Sequence, residues 1–156
     1  MGRRHLAQLA AAGAALALAS VAPAAGAIGW QVLAHGAAVG SAVLSPRAYV
    51  ALKPITVELF APRLSHVTRV DLASVDFSKD AVVAIFGEFG CSDKLISVTS
   101  IEQRGQTLAV TLLQQLPKPG TAQCMALFPT YRVLLIAKSS LRPPYPTRAT
   151  VTLARA

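Results

Sequence analysis

The chain has 156 residues, with 15 lysines and arginines against seven aspartates and glutamates, and it contains only two cysteines. No internal repeat or low-complexity tract is present, which excludes a repeat architecture. The basic residues are not interleaved with aromatic ones in the pattern that stacks nucleic-acid bases, so the composition argues against a nucleic-acid partner.

Residues 1–27 have the pattern of a secretory signal peptide. Two arginines precede an uncharged run rich in alanine, and residues 25–27 have the A-x-A form of a signal-peptidase site. We therefore predict cleavage after Ala27, with cleavage after Ala24 as the neighbouring option. The arginine pair lacks the Ser or Thr that precedes it in twin-arginine signals, which favours Sec export to the periplasm or the extracellular medium.

Removal of that segment leaves residues 28–156, which is the length of a single domain with one core. No second apolar run approaches the roughly 18 residues of a membrane-spanning helix, so we expect no stable membrane insertion after cleavage. Strand-like runs rich in β-branched residues recur through this part of the chain. They lie at residues 30–34, 48–52, 81–86, 95–103, 106–114, 131–137 and 149–154.

The clearest local signal is an antiparallel hairpin over residues 95–114. Apolar residues recur at every second position in both halves, and Arg104-Gly105 is predicted as the two-residue turn, with Gly105 supplying the positive φ. By contrast, residues 81–86 are apolar on both faces. This pattern predicts a central strand that is covered on each side.

Residues 53–64 are compatible with a strand or a helix, and a short helix is favoured. Ile55 and Leu59 lie four positions apart. Pro54 suits a first helical turn, and Pro62 marks an end.

The segments around residues 65–80 and 141–148 are interpreted as connections. The first ends in a turn in which Asp76 and Ser78 bond the local backbone. The second is predicted to be a stiff, extended linker, because three of its residues are prolines, and it leads to a last strand at residues 149–154. Together these elements predict a mainly β (α+β) domain, a small antiparallel sheet or sandwich with one short helix.

The charge of the chain is unevenly distributed. All seven acidic residues precede residue 103, so the C-terminal half is purely cationic. A solvated, solubilising face is the preferred interpretation, and an anionic envelope polymer is the alternative partner. The basic residues of this half are Arg104, Lys118, Arg132, Lys138, Arg142, Arg148 and Arg155.

Three sequence patterns occur together within residues 47–138. An aspartate-phenylalanine turn at residues 76–79 precedes the apolar strand 82–86, and a later strand with Pro129 and Tyr131 ends near a lysine. This arrangement resembles the C-terminal domain of the protease-complex subunit PrcB, a module of the bacterial envelope. The resemblance implies a domain that associates with, or stabilises, an envelope protease.

The turn after the apolar strand departs from that family. A threonine-glycine-glycine-tyrosine turn is replaced here by residues 89–93, and the lipid-bearing cysteine of the family is missing. If this turn contacts a partner, its contact residues in this chain are Phe89, Gly90, Ser92 and Asp93.

The two cysteines, Cys91 and Cys124, follow and precede strands that the resemblance places in one sheet. A secreted chain with an even number of cysteines is expected to oxidise them. We therefore predict a Cys91–Cys124 disulfide that staples the glycine turn, contributing about 3–4 kcal/mol. A cysteine nucleophile or a zinc site would need the histidines His35 and His66, which lie outside any recognisable signature.

No catalytic, metal or cofactor site is predicted. Ser65 and His66, with Asp71 or Asp76, provide the residue types of a triad without its nucleophile elbow. Trp30 is interpreted as a core residue, and Tyr145 as an exposed one. The favoured function is a non-catalytic exported protein-binding domain. The alternative is a secreted inhibitor or anionic-polymer binder that acts through the turn at 87–93 or through the basic half.

Overall fold

The computed structural model describes residues 27–40, 45–88, 96–115 and 128–155. These residues form seven strands: β1 (Gln31–Ala37), β2 (Arg47–Ala51), β3 (Asp80–Glu88), β4 (Ile96–Arg104), β5 (Thr107–Gln114), β6 (Pro129–Ala137) and β7 (Arg148–Arg155). They also form the helices α1 (Pro54–Val57) and α2 (His66–Ala73), with 3-10 turns at Ala61–Arg63 and Lys138–Ser140. The predicted mainly β class is confirmed, and all seven predicted strands are present.

The strands form two sheets. The first has the order β1-β6-β3-β2 and is antiparallel throughout. The second has the order β4-β5-β7, in which β4 and β5 are antiparallel whereas β5 and β7 are parallel. The parallel pair corrects the prediction of a purely antiparallel sheet. The parallel pair arises because residues 138–147 carry the chain to the hairpin turn, so that Arg148 pairs with Thr107 at the start of β5.

Strand β3 is covered on both faces, as its sequence predicted. Alternate residues point into two cores. The first core lies between the sheets and includes Ala81, Val83 and Ile85. The second core lies on the other face of the first sheet and includes Val82, Ala84 and Phe86.

The edges of the two sheets approach each other at both sides of the first core. Strand β2 packs against β7. Just before β1, Ala27 forms an antiparallel bridge with Glu102 of β4. Trp30 is partly buried against the first core, as predicted, and Tyr145 is about half exposed. The two sheets thus form a partly closed sandwich around one shared core.

The hairpin of β4 and β5 is confirmed, but its turn is one residue later than predicted. Arg104 pairs with Thr107, which leaves Gly105 and Gln106 as the turn. Gly105, the first residue of the turn, has a φ of 59°, and every described residue with a positive φ is a glycine. A glycine with positive φ at the first turn position is the pattern of a type II′ turn. A bulge between Val98 and Ser100 shifts the register, so that Ile101 also points into the core.

Helix α2 was not predicted, so the expectation of one short helix is wrong. Ser65 caps this helix, because its hydroxyl accepts a hydrogen bond from the backbone N–H of Thr68 at 3.2 Å. Only Thr68 and Leu72 of the helix are buried. The apolar periodicity that identifies most helices is therefore weak in this segment.

The proline-rich linker is bonded to the hairpin rather than extended freely over the surface. The side-chain amide of Gln103 donates to the carbonyls of Arg142 and Pro144, and its oxygen accepts from the backbone N–H of Arg142. Leu141 and Pro146 are buried, and the chain bends at Pro143-Pro144, whose peptide bond is cis. Within the described residues, no helix is long and apolar enough to span a membrane.

Candidate functional site

The segment from residue 53 to residue 77 covers the outer face of the first sheet. Phe60, Leu64 and Leu72 are almost fully buried there. They belong to the second core, together with Phe86 and Tyr131 of the sheet. Full burial of each large apolar side chain contributes about 1.5–3 kcal/mol, so the segment is held firmly on the sheet.

Three hydroxyl groups connect the start of α2 to the sheet. The Thr68 Oγ1 and Tyr131 Oη atoms are 2.6 Å apart and share a hydrogen bond. The Tyr131 hydroxyl donates to Ser65 Oγ at 3.0 Å, and Ser65 Oγ donates to Thr68 Oγ1 at 3.0 Å. Thr68 and Tyr131 are buried, and this ring of bonds satisfies their hydroxyls. It therefore fixes the position of α2 on β6.

Strand β1 leaves space for that tyrosine. Gly36 pairs with Tyr131, and a Cβ atom at Gly36 would lie 3.2 Å from the Tyr131 hydroxyl. A side chain at position 36 would therefore crowd the hydroxyl ring.

The outward side of the same segment exposes four large aliphatic side chains. Ile55 and Leu59 are 75% and 70% exposed, and Val67 and Val70 of α2 are 69% and 57% exposed. These four residues, called here the helical surface, are half of the large hydrophobic side chains found exposed in the described part of the chain. Exposed hydrophobic residues that are scattered singly are normal, so their concentration in one short segment makes the helical surface a candidate interaction site.

A groove of about 570 Å³ lies between the first part of this segment and α2. Its walls are mostly apolar, with one acidic and one basic side chain, Glu58 and Arg69. The other lining residues are Pro54, Val57, Ala61, Pro62, Leu72, Ala73, Val75 and Phe77. An apolar groove that also carries a few polar or charged groups is the usual form of a binding or active site.

Arg63 ends the 3-10 turn whose first two residues, Ala61 and Pro62, line the groove. Its guanidinium carbon is 5.9 Å from the centroid of the Phe86 ring. The Nη1 atom is buried and has no hydrogen-bond partner within the described ranges. The backbone of Arg63 is fixed as well, since its carbonyl accepts from the N–H of Val39 at 2.9 Å.

Several predicted site residues lie outside the described residues. These are the two cysteines of the predicted disulfide, Cys91 and Cys124, and the residues of the predicted contact turn, Phe89, Gly90, Ser92 and Asp93. Both proposals about them remain predictions.

The residues of the hypothetical triad do not form one. The Ser65 hydroxyl is engaged in the ring with Thr68 and Tyr131, and His66 is exposed at the first position of α2. Asp76 lies in the turn before β3. Across residues 27–40, 45–88, 96–115 and 128–155, no group of three or more His, Cys, Asp or Glu side chains is placed to hold a metal ion.

The predicted turn at Asp76 is confirmed. The Asp76 Oδ1 atom accepts hydrogen bonds from the hydroxyl and from the backbone N–H of Ser78. These two bonds, first the hydroxyl and then the N–H, hold the pKa of Asp76 below its ordinary value, and Lys79 adds a smaller effect in the same direction.

Replacing Ser78 by alanine is expected to raise the pKa of Asp76 towards its ordinary value, because the larger of the two bonds is lost. A depressed pKa contributes stability above the unfolded-state pKa, and this contribution is lost as the pH falls through the folded-state pKa, that is, below about pH 4. An NMR titration of the Asp76 carboxyl measures the shift. Ser74→Ala is the control, since the Ser74 hydroxyl donates to the backbone carbonyl of Asp71 rather than to Asp76. An unchanged Asp76 pKa in Ser78→Ala would contradict this account.

The basic residues of the C-terminal half have different environments. The Lys138 ammonium donates to the carbonyls of Leu52 and Phe77, so it is part of the fold. By contrast, Arg104, Arg142 and Arg148 are exposed near the turn of the β4–β5 hairpin. Arg104 pairs with Glu102 at 2.9 Å.

No protein-family model matches the chain, and no curated protein and no solved structure matches it. The resemblance to the PrcB domain therefore remains a prediction.

The helical surface and the groove were not among the predicted site residues. The spacing of Ile55 and Leu59 predicts a helix, but helical spacing alone does not tell which side faces the sheet. The available signal was Ser65 as an N-cap followed by Val67 and Val70, three residues apart on one face of a helix.

Proposed function

We propose that the protein is a non-catalytic, exported accessory domain that binds another exported protein through the helical surface and its groove. The observation that carries this proposal is the group of four exposed aliphatic side chains beside an apolar groove of about 570 Å³. Apolar area removed from water contributes about 25 cal/mol per Å², so covering these side chains favours binding.

The surface is suited to binding because its inner side is rigidly held. Phe60, Leu64 and Leu72 anchor it in the second core, and the hydroxyl ring fixes α2 on the sheet. A preformed surface loses little conformational entropy when a partner binds.

The groove defines the chemistry of the partner. Its apolar walls fit a segment with aliphatic or aromatic side chains, and Glu58 and Arg69 supply one negative and one positive group. The complementary ligand is an apolar peptide segment of the partner that carries a basic residue facing Glu58 and an acidic residue facing Arg69. The resemblance to the PrcB domain favours an envelope protease as the protein that bears this segment.

Leu59→Asp and Val70→Asp are each expected to weaken partner binding at least tenfold, because each places a charge in an apolar interface. The partner is first isolated from the exported fraction by capture on the mature protein. Calorimetry with the purified partner then gives the dissociation constants.

The matched control is Val32→Asp, which places the same charge at a similarly exposed valine, on strand β1. It should leave the affinity within about twofold, in line with the small effects of surface substitutions away from a contact. Unchanged affinity in both helical variants, or an equal loss in Val32→Asp, would refute the proposed surface.

A second function, binding to an anionic envelope polymer, is favoured by the grouping of Arg104, Arg142 and Arg148. Gln103 bonds the backbone of Arg142 next to the hairpin turn, and Arg148 pairs with Thr107 beside it. Retention of the mature protein on an anionic polysaccharide column, lost at moderate salt and in the triple Arg→Gln variant, tests this function. Retention that the variant keeps would exclude this patch.

A further inference from the structure

The groove and the helical surface lie on the same segment, residues 53–77, and this segment carries complementary groups. The walls of the groove are mostly apolar and include Glu58 and Arg69. Both of these side chains are exposed, and neither forms an ion pair within the described part of the chain. A ligand that matches the groove therefore presents apolar side chains together with one basic and one acidic group.

A second copy of the segment is a ligand of this kind. It exposes the four aliphatic side chains of the helical surface, and it carries Arg69 and Glu58 as its own basic and acidic groups. When two identical surfaces meet about a two-fold axis, a residue i of one copy contacts a residue j of the other, and j contacts i in return. One such axis places Glu58 of each copy opposite Arg69 of the other.

The charge of the segment also permits self-association. Residues 53–77 contain three basic and three acidic residues, so the segment has no net charge, whereas the whole chain has a net charge of +8 with histidine counted as neutral. The excess of positive charge therefore lies on the other parts of the chain. Two identical surfaces that carried this excess would repel each other. Two copies of the segment approach without net repulsion.

We infer that, in the absence of its partner, the protein forms a two-fold symmetric homodimer through the helical surface and the groove; this inference rests on the proposed function in taking the helical surface as an interaction surface. Glu58 of each copy faces Arg69 of the other, beside an apolar contact that the aliphatic side chains of both copies form. Removal of these side chains from water drives the association, and the two reciprocal charge pairs fix its orientation.

The dimer regulates access to the binding site. A helical surface that is covered by a second copy is closed to the exported partner, so dimerisation and partner binding exclude each other. The free protein thereby keeps its exposed aliphatic side chains out of water until the partner displaces the second copy. The apparent affinity for the partner falls as the protein concentration rises, since mass action then favours the dimer.

Sedimentation velocity of the protein purified from the exported fraction tests the inference, since the sedimentation coefficient should rise with concentration from the monomer to the dimer value. Glu58→Arg and Arg69→Glu should each weaken dimerisation about tenfold or more, because like charges then face each other. An equimolar mixture of the two variants should dimerise again, because the introduced arginine of one copy then faces the introduced glutamate of the other. Such a recovery excludes misfolding as the cause of the loss.

Arg155→Glu is the matched control, since it makes the same change of charge at an exposed residue of β7 and should leave dimerisation unchanged. The inference is overturned by protein that stays monomeric at every concentration, by a dimer that both groove variants leave intact, or by a mixture that does not recover. Each of these results leaves the capture of an exported partner unaffected. A dimer that responds as expected, with no partner captured, would instead refute the proposed function and support the inference.

Discussion

Replacing Phe86 by alanine is expected to lower the free energy of unfolding by about 3–5 kcal/mol, the usual cost of removing a buried phenylalanine side chain. Phe86 is 1% exposed and lies near the end of strand β3. Its ring contacts Tyr49 at 5.8 Å and Tyr131 at 6.3 Å between centroids. The Arg63 guanidinium covers one side of it.

This effect is large because Phe86 joins the sheet to the segment that carries the helical surface. Its removal leaves a cavity in the second core, to which Phe60 and Leu64 of that segment also belong. Urea denaturation of the mature protein measures the loss.

Ile55→Ala is the control for the Phe86 experiment. It also removes a large apolar side chain, but from a position that is 75% exposed, and should change the stability by less than about 0.5 kcal/mol. A loss of less than about 1 kcal/mol in Phe86→Ala would show that the second core is not packed as described. We also expect Phe86→Ala to loosen α2 and so to weaken partner binding indirectly, whereas any effect of Ile55→Ala on binding is direct, because Ile55 belongs to the helical surface.

Replacing Lys138 by methionine is expected to cost about 2–4 kcal/mol, since hydrogen bonds to charged groups are the stronger ones and two carbonyl groups lose their donor. The Lys138 ammonium bonds the carbonyl of Leu52, just after β2, and that of Phe77, in the turn before β3. The Lys138 backbone N–H also donates to the carbonyl of Lys79 at 2.7 Å. One side chain thus joins three segments of the chain.

Methionine retains most of the apolar stem of lysine, so the comparison isolates the ammonium group. Arg142→Met is the matched control, because it removes a positive charge from an exposed residue of the same half of the chain. Thermal unfolding of the wild type and of both variants measures the loss of stability in each. Equal stability of the two variants would mean that Lys138 is an ordinary surface cation.

The sequence by itself determined the strands of this protein. Their signals are local, since β-branched runs and period-two alternation follow from each residue and its near neighbours. The apolar stretch 81–86 indicated a strand covered on both faces, and residues 76–78 indicated the turn before it. Both are present.

Tertiary structure decided which side of each segment is buried and which distant groups are bonded, because local sequence patterns do not contain this information. Ile55 and Leu59 have helical spacing, yet they face solvent, because Phe60 and Leu64 occupy the side towards the sheet. Lys138 belonged to a cationic half in the sequence but bonds two distant carbonyls in the fold.

Tertiary structure also decided the parallel pairing of β7 with β5 and the position of Ile28 on β4. Each depends on contacts between segments that are far apart in the chain, such as Arg148 with Thr107 and Ile28 with Ile101. Periodicity describes one segment at a time, whereas the burial of a face depends on which segment packs against it. The helical surface is therefore a property of the folded domain, and only the packing of residues 53–77 on the first sheet defines it.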